Sequence, residues 1–152
     1  MKTVLITGVG KGIGKALAQK FLSEGCFVIG TSTKGTADIN DENLIVFQLD
    51  LSDLQSIEEC TDKIIDFKKS IDILINNAGI WLPEEKDPKA NISNLRKVLD
   101  INLIGPIDFT ERLLALLNPN SHIINISSRQ GSLNYPPGTS QLAYKISKAG
   151  LN

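Results

Sequence analysis

Cysteine and histidine are scarce in this sequence: two Cys, at positions 26 and 60, and one His, at 122, in 152 residues. Cys26 and Cys60 are far apart and form no metal-knuckle spacing, which excludes a disulfide scaffold or zinc module and predicts two reduced thiols. A net charge of one sign is also missing. Sixteen Lys plus Arg against seventeen Asp plus Glu leave −1, no basic footprint for nucleic acid or an anionic lipid surface. No apolar run approaches the roughly 20 residues of a membrane span. Met1 to Gly8 lacks the apolar stretch and small-residue cleavage site of a secretory signal. There is no internal repeat, low-complexity tract or linker. These absences predict a cytoplasmic globular protein whose partner is a small molecule. The length suits one domain, which at this size buries about 70% of its unfolded surface.

What is present is an alternation of strands and helices. Lys2–Thr7, Cys26–Thr31, Leu44–Leu49, Asp72–Asn76 and His122–Ser127 are short apolar runs that read as buried strands. Between them, Ile13–Glu24 carries a helical apolar face closed by Gly25. Ser52 is the expected cap of a helix from Asp53 to about Lys69. Ile92 to about Leu117 reads as a helix bent near Gly105-Pro106. Gln141 opens a last helix. Trp81–Asn91, with Pro83, Glu84, Glu85 and Pro88, and Gly131–Thr139, with Tyr135, read as loops. Continuous apolar strands separated by helices predict an α/β fold with a doubly wound parallel sheet of Rossmann type.

The first strand ends in Thr7-Gly8-Val9-Gly10-Lys11-Gly12-Ile13-Gly14 and runs directly into the first helix. A turn this tight needs residues without Cβ, so that backbone N–H groups and the helix dipole meet a pyrophosphate. Glycine spacing alone is a weak signal; its place between a buried strand and a helix strengthens it. An NAD site usually has a carboxylate near the end of the second strand, for the ribose 2′-OH. Here that region is Thr31-Ser32-Thr33-Lys34, with hydroxyls and no acid, and Lys11 adds a cation inside the loop. The expectation is NADP in preference to NAD, with Asp38, somewhat further on, as the alternative acid.

Tyr144 and Lys148 stand at i and i+4, on one face of the last helix. Alone, such a pair is an ordinary surface motif. Its chemistry gives it meaning beside a dinucleotide. A cation about 5 Å from a phenol, at an effective dielectric near 20, favours the phenolate by about 3 kcal/mol. That lets a tyrosine exchange a proton with an alcohol or ketone.

Together these segments resemble the short-chain dehydrogenase/reductase family, in order along the whole chain. Thr7-Gly8 with Gly12-Ile13-Gly14 resembles its cofactor loop, Asp50-Leu51 its adenine-contacting segment, and Asn76-Asn77-Ala78-Gly79 its motif after the fourth strand. Asn102 resembles its helix asparagine, Ser127-Ser128 with Gly131 its serine segment, and Tyr144/Lys148 its Tyr-x-x-x-Lys pair. Asn102-x-x-Gly105-Pro106 and Ser147-Lys148-Ala149-x-Leu151-Asn152 further resemble the carbonyl-reductase-like branch of C-factor and sniffer-type proteins. The resemblance implies hydride transfer between NADPH and a small-molecule ketone or aldehyde, or the corresponding alcohol. By the same resemblance Ser128 orients the carbonyl oxygen and Tyr144 moves the proton. Lys148 tunes Tyr144 and holds the ribose, and Asn102 anchors a water leading to solvent.

Family members continue well beyond the Tyr-x-x-x-Lys pair, whereas this sequence ends four positions after Lys148. The expectation is therefore a piece of a longer reductase that forms a homo-oligomer when complete. Alone, it would have an open sheet edge at His122–Ser127, weak nucleotide binding and almost no turnover. The rival readings are a dinucleotide sensor without turnover and an inactive fragment. Trp81 is expected to pack rather than meet substrate, and His122 is assigned no chemistry.

Overall fold

The computed structural model describes residues 1–82, 91–134 and 141–152. The expected loop residues Pro83, Glu84, Glu85, Pro88 and Tyr135 lie outside them. Five parallel strands form the sheet: β1 (Thr3–Thr7), β2 (Phe27–Ser32), β3 (Leu44–Gln48), β4 (Ile71–Asn76) and β5 (Leu117–Asn125). Their order is β3-β2-β1-β4-β5. The helices are α1 (Gly12–Ser23), α2 (Leu54–Asp66), α3 (Ile92–Leu99), α4 (Gly105–Leu113) and α5 (Leu142–Leu151).

The strands sort their side chains with a period of two. Leu5 is in register with Ile29 and Leu74. All three face a core completed by Ile57, Cys60 and Ile64 of α2 and Phe109 and Leu113 of α4. Val4, Ile6, Val28 and Ile75 point the other way, onto Ala18 and Leu17 of α1. Apolar faces on both sides explain why β1 reads as one unbroken apolar run. The chain winds outward one way through β2 and β3 and the other way through β4 and β5, so a crevice opens beyond the ends of β1 and β4. No helix among the described residues is long and apolar enough to cross a membrane. Cys26 and Cys60 are both free thiols, and burial pushes Cys60 up to about 12.

Three boundaries depart from the sequence reading. Asp53, not Ser52, caps α2, its carboxylate accepting from Gln55 N. Ser52 instead donates its hydroxyl and its N–H to Asp50. The expected long helix is continuous to Leu113, and the disturbance expected near Gly105-Pro106 is a π turn at Asp100–Ile104, just before that pair. Pro106 has no N–H to offer the Asn102 carbonyl four residues earlier, and Gly105 N bonds back to Asp100 O, which widens the turn. Strand β5 starts at Leu117, pairing first with Ile71 before an irregularity brings His122 opposite Ile73. Ile123 and Ile124 are 45% and 42% exposed, because β5 is the last strand of the sheet.

Candidate active site

The exits of β1 and β4 are tied together by Thr7. Its hydroxyl accepts from Asn77 N and Ala78 N, both at 3.0 Å, and Asn77 Nδ2 donates to Thr7 O at 2.8 Å. The glycine loop is thereby fixed against the segment after β4. Gly14 shows why this loop tolerates no side chain at its entry into α1. A Cβ there would lie 2.2 Å from Gly8 O and 2.5 Å from Asn77 Nδ2. Val9 points into the core, and its N–H, like that of Gly8, is taken by Thr31 O. Gly10, Lys11, Gly12 and Ile13 form the exposed rim of the loop at the start of α1, where free N–H groups and the dipole favour an anion.

The second-strand hydroxyls separate. Thr31 is buried, and Ser32 closes a turn with Thr36, donating to its carbonyl and accepting from its N–H. Thr33 and Lys34 are exposed. Asp38, the alternative acid, pairs with Lys15 at 2.9 Å, and that hydrogen bond and charge hold its carboxyl below the usual carboxylate range. Asp50 is exposed at the end of β3, its carboxyl lowered by the Ser52 hydroxyl and N–H, and Leu51 beside it belongs to the core.

On the other side of the crevice, α5 carries Tyr144 and Lys148 on one face. Lys148 is 5% exposed. Its Nζ donates to Ile126 O at 2.7 Å and lies 5.8 Å from the centre of the Tyr144 ring. Burial pushes the lysine below its ordinary value. A Cβ on Gly79 would lie 3.7 Å from Lys148 Nζ and 3.2 Å from Asn102 Oδ1, so the segment after β4, the π turn and α5 converge. Asn102 Oδ1 accepts from Ile80 N, and its Nδ2 donates to Ile80 O and Ser147 Oγ. The side chain is fully engaged, and the residue four positions on, Pro106, has no N–H to offer its backbone carbonyl.

Ser128 ends the turn into Arg129–Gly131 with its hydroxyl oxygen accepting from Gln130 N at 3.2 Å, so its hydrogen is available to a carbonyl oxygen. Gly131 brings that turn against α5. A Cβ there would meet Lys148 C and O at 2.6 Å. Asn152 reinforces the contact, its side chain bonding Ser127 Oγ and Gly131 O. Trp81 corrects the sequence reading. It is 52% exposed rather than packed, because it leaves β4 beyond the last core position. The sequence names Thr7, Ser147 and Asn152 only as members of motifs and assigns them no role, because their roles depend on partners at least 21 residues away. Only the position of Ser147 next to Lys148 could have drawn attention to it. Among the described residues no cluster of His, Cys, Asp or Glu could hold a metal ion.

Comparison with known proteins places this arrangement. Residues 2–152 match the family model described as short chain dehydrogenase. The chain is 35% identical over 142 residues to the NADP-dependent 3-hydroxy acid dehydrogenase YdfG of Escherichia coli O6:H1, an alignment covering 89% of this chain and 57% of the relative. A short chain dehydrogenase family protein from Francisella tularensis superposes with a TM-score of 0.85 at 30% identity, over 99% of this chain and 60% of that one. A short-chain dehydrogenase/reductase from Burkholderia multivorans with bound NADP superposes with a TM-score of 0.86 at 26% identity, over 99% of this chain and 68% of that one. The chain thus spans somewhat more than half the length of the curated relatives it matches.

Proposed function

Since the chain belongs to the short-chain dehydrogenase family, we propose that its protein transfers hydride between NADPH and a small carbonyl compound, with Tyr144 as the acid–base. The observation that carries this reading is the buried Lys148 ammonium, 5.8 Å from the Tyr144 ring and beside the segment that follows β4. A sensor of dinucleotide needs only the glycine loop; burying a lysine next to a phenol serves proton transfer.

The crevice fits a dinucleotide. Gly14 lets the loop pack directly on Gly8 O and Asn77, open space lies at Gly12, and the α1 N-terminus with exposed Lys11 suits a pyrophosphate. The bound nicotinamide supplies the hydride. Ser128 donates its hydroxyl hydrogen to the substrate oxygen and fixes its direction. Tyr144 delivers or receives the proton at that oxygen. Lys148 stabilises the phenolate and offers its N–H to the ribose, and the backbone of Asn102 holds a water that resupplies the proton. NADP preference is supported by the hydroxyl-rich second-strand end, which carries no acid from Thr31 to Lys34, and by exposed Thr33, Lys34 and Lys11. The substrate class proposed is a 3-oxo acid or 3-hydroxy acid, after the relative's activity.

Cofactor oxidation followed at 340 nm with 3-oxo acids and simple ketones tests the proposal. Turnover is expected with NADPH in preference to NADH, and Lys11→Ala weakens NADPH binding about 10-fold or more while NADH changes little, one lost charge-assisted contact being worth about 1.5–3 kcal/mol. Equal losses for the two nucleotides would contradict the assignment.

A further inference from the structure

Ser147 is fully buried, at 0% exposure, yet polar, and it lies between the two residues assigned to proton transfer. Its hydroxyl donates to Tyr144 O at 2.8 Å and accepts from Asn102 Nδ2 at 3.1 Å. Asn102 is 1% exposed and completes its inventory on Ile80, donating to O at 2.9 Å and accepting from N at 2.8 Å. An asparagine amide has two N–H donors and one carbonyl. Here every one of them has a partner, and the serine is the partner that belongs to α5.

The network therefore joins three separate elements: the exit of β4, the π turn and α5. Lys148 is moored a second time, through Nζ to Ile126 O. Ser147 attaches α5 to the π turn by a side-chain hydrogen bond, and it sits one residue before Lys148 and three after Tyr144. We propose that Ser147 is a positioning residue for the Tyr144–Lys148 pair, setting the roll of α5 through Asn102 so that phenol and ammonium face the crevice together. The inference rests on the reaction proposed above and adds to it a residue that never touches substrate or nucleotide.

Removing the hydroxyl orphans one Asn102 N–H in a dry site, where an unpaired donor drives rearrangement. Either the amide turns, loosening its grip on Ile80, or α5 shifts to admit water. Both displace Tyr144 and Lys148 relative to the segment after β4.

The test compares Ser147→Ala, Ser147→Thr and Ser147→Cys in the purified full-length protein, reading kcat, the KM for NADPH, the pH profile of alcohol oxidation and the melting temperature. Ser147→Ala is expected to lower kcat about 10-fold, to leave the NADPH KM within about 2-fold, and to move the acidic limb of the oxidation profile to higher pH. Ser147→Thr keeps a hydroxyl able to bond a carbonyl one turn back and restores the profile even where its melting temperature falls. Should the alanine variant not fold, Ser147→Cys, close in volume and a weak acceptor, is expected to show the same displaced profile. A normal kcat and profile in the alanine variant would overturn the inference alone, as would losses that follow melting temperature with an unmoved profile. No turnover by the unsubstituted protein with any carbonyl would overturn the proposed reaction and this inference with it.

Discussion

Lys148 is held at a cost. Its amine is almost wholly inside the protein, and burial lowers its affinity for a proton relative to the unfolded chain. Between the folded value and the ordinary 10.5 the unfolded state binds more protons, so stability rises with pH across that window and is lowest below it. At neutral pH the buried charge is therefore a burden to the fold, one that the proposed reaction would explain. Lys148→Met keeps the apolar stem and removes the charge. It is expected to abolish turnover while raising the melting temperature at pH 7 and flattening its alkaline dependence. Thermal denaturation of both proteins from pH 7 to 10 checks this, and a lower melting temperature for the methionine variant would show that the Nζ–Ile126 bond outweighs desolvation.

At the level of elements, the sequence announces periodicity and breakers but not which of two adjacent polar residues wins a cap. The strands β1 to β4 were legible because each is a short apolar run pinned by turn residues, and α1 because Gly25 closes it. Ser52 and Asp53 are equally good caps by residue type. The structure chooses Asp53 because Asp50 draws Ser52 into its own turn. Asp53→Ala is thus expected to cost about 1 kcal/mol of stability by denaturant unfolding, and more than Ser52→Ala; the reverse order would restore the sequence reading. The long helix shows the same limit. Gly105-Pro106 marked the disturbance, but the missing proline N–H acts upstream, at Asp100–Ile104. The site was legible where motifs are local, as in Tyr144/Lys148 and the glycine loop. It was not legible where Ile80, Asn102 and Ser147 meet, since those residues are 22 and 45 positions apart and only the fold brings them together.

Across the whole molecule, the sheet is unevenly covered. β1 is enclosed on both faces, whereas the edge strand β5 leaves Ile123 and Ile124 nearly half exposed, next to exposed Ile107 of α4. A long edge with unpaired backbone groups and apolar side chains invites pairing with another chain. Residues 1–152 alone are therefore expected to self-associate as concentration rises, and Ile124→Lys to suppress this without loss of helical signal. Light scattering across a concentration series decides it, and monodisperse behaviour of the unsubstituted chain would contradict the reading of this edge.

The central claim is that a buried ammonium on α5 makes Tyr144 the proton carrier of a reaction at the β1/β4 crevice. Its most direct measurement pairs carbonyl turnover with NADPH affinity for Tyr144→Phe. The account predicts a fall in kcat of about 10²–10⁴-fold, the usual worth of a positioned acid–base group, with NADPH affinity nearly unchanged. A phenylalanine variant that turns over at the unsubstituted rate would contradict it.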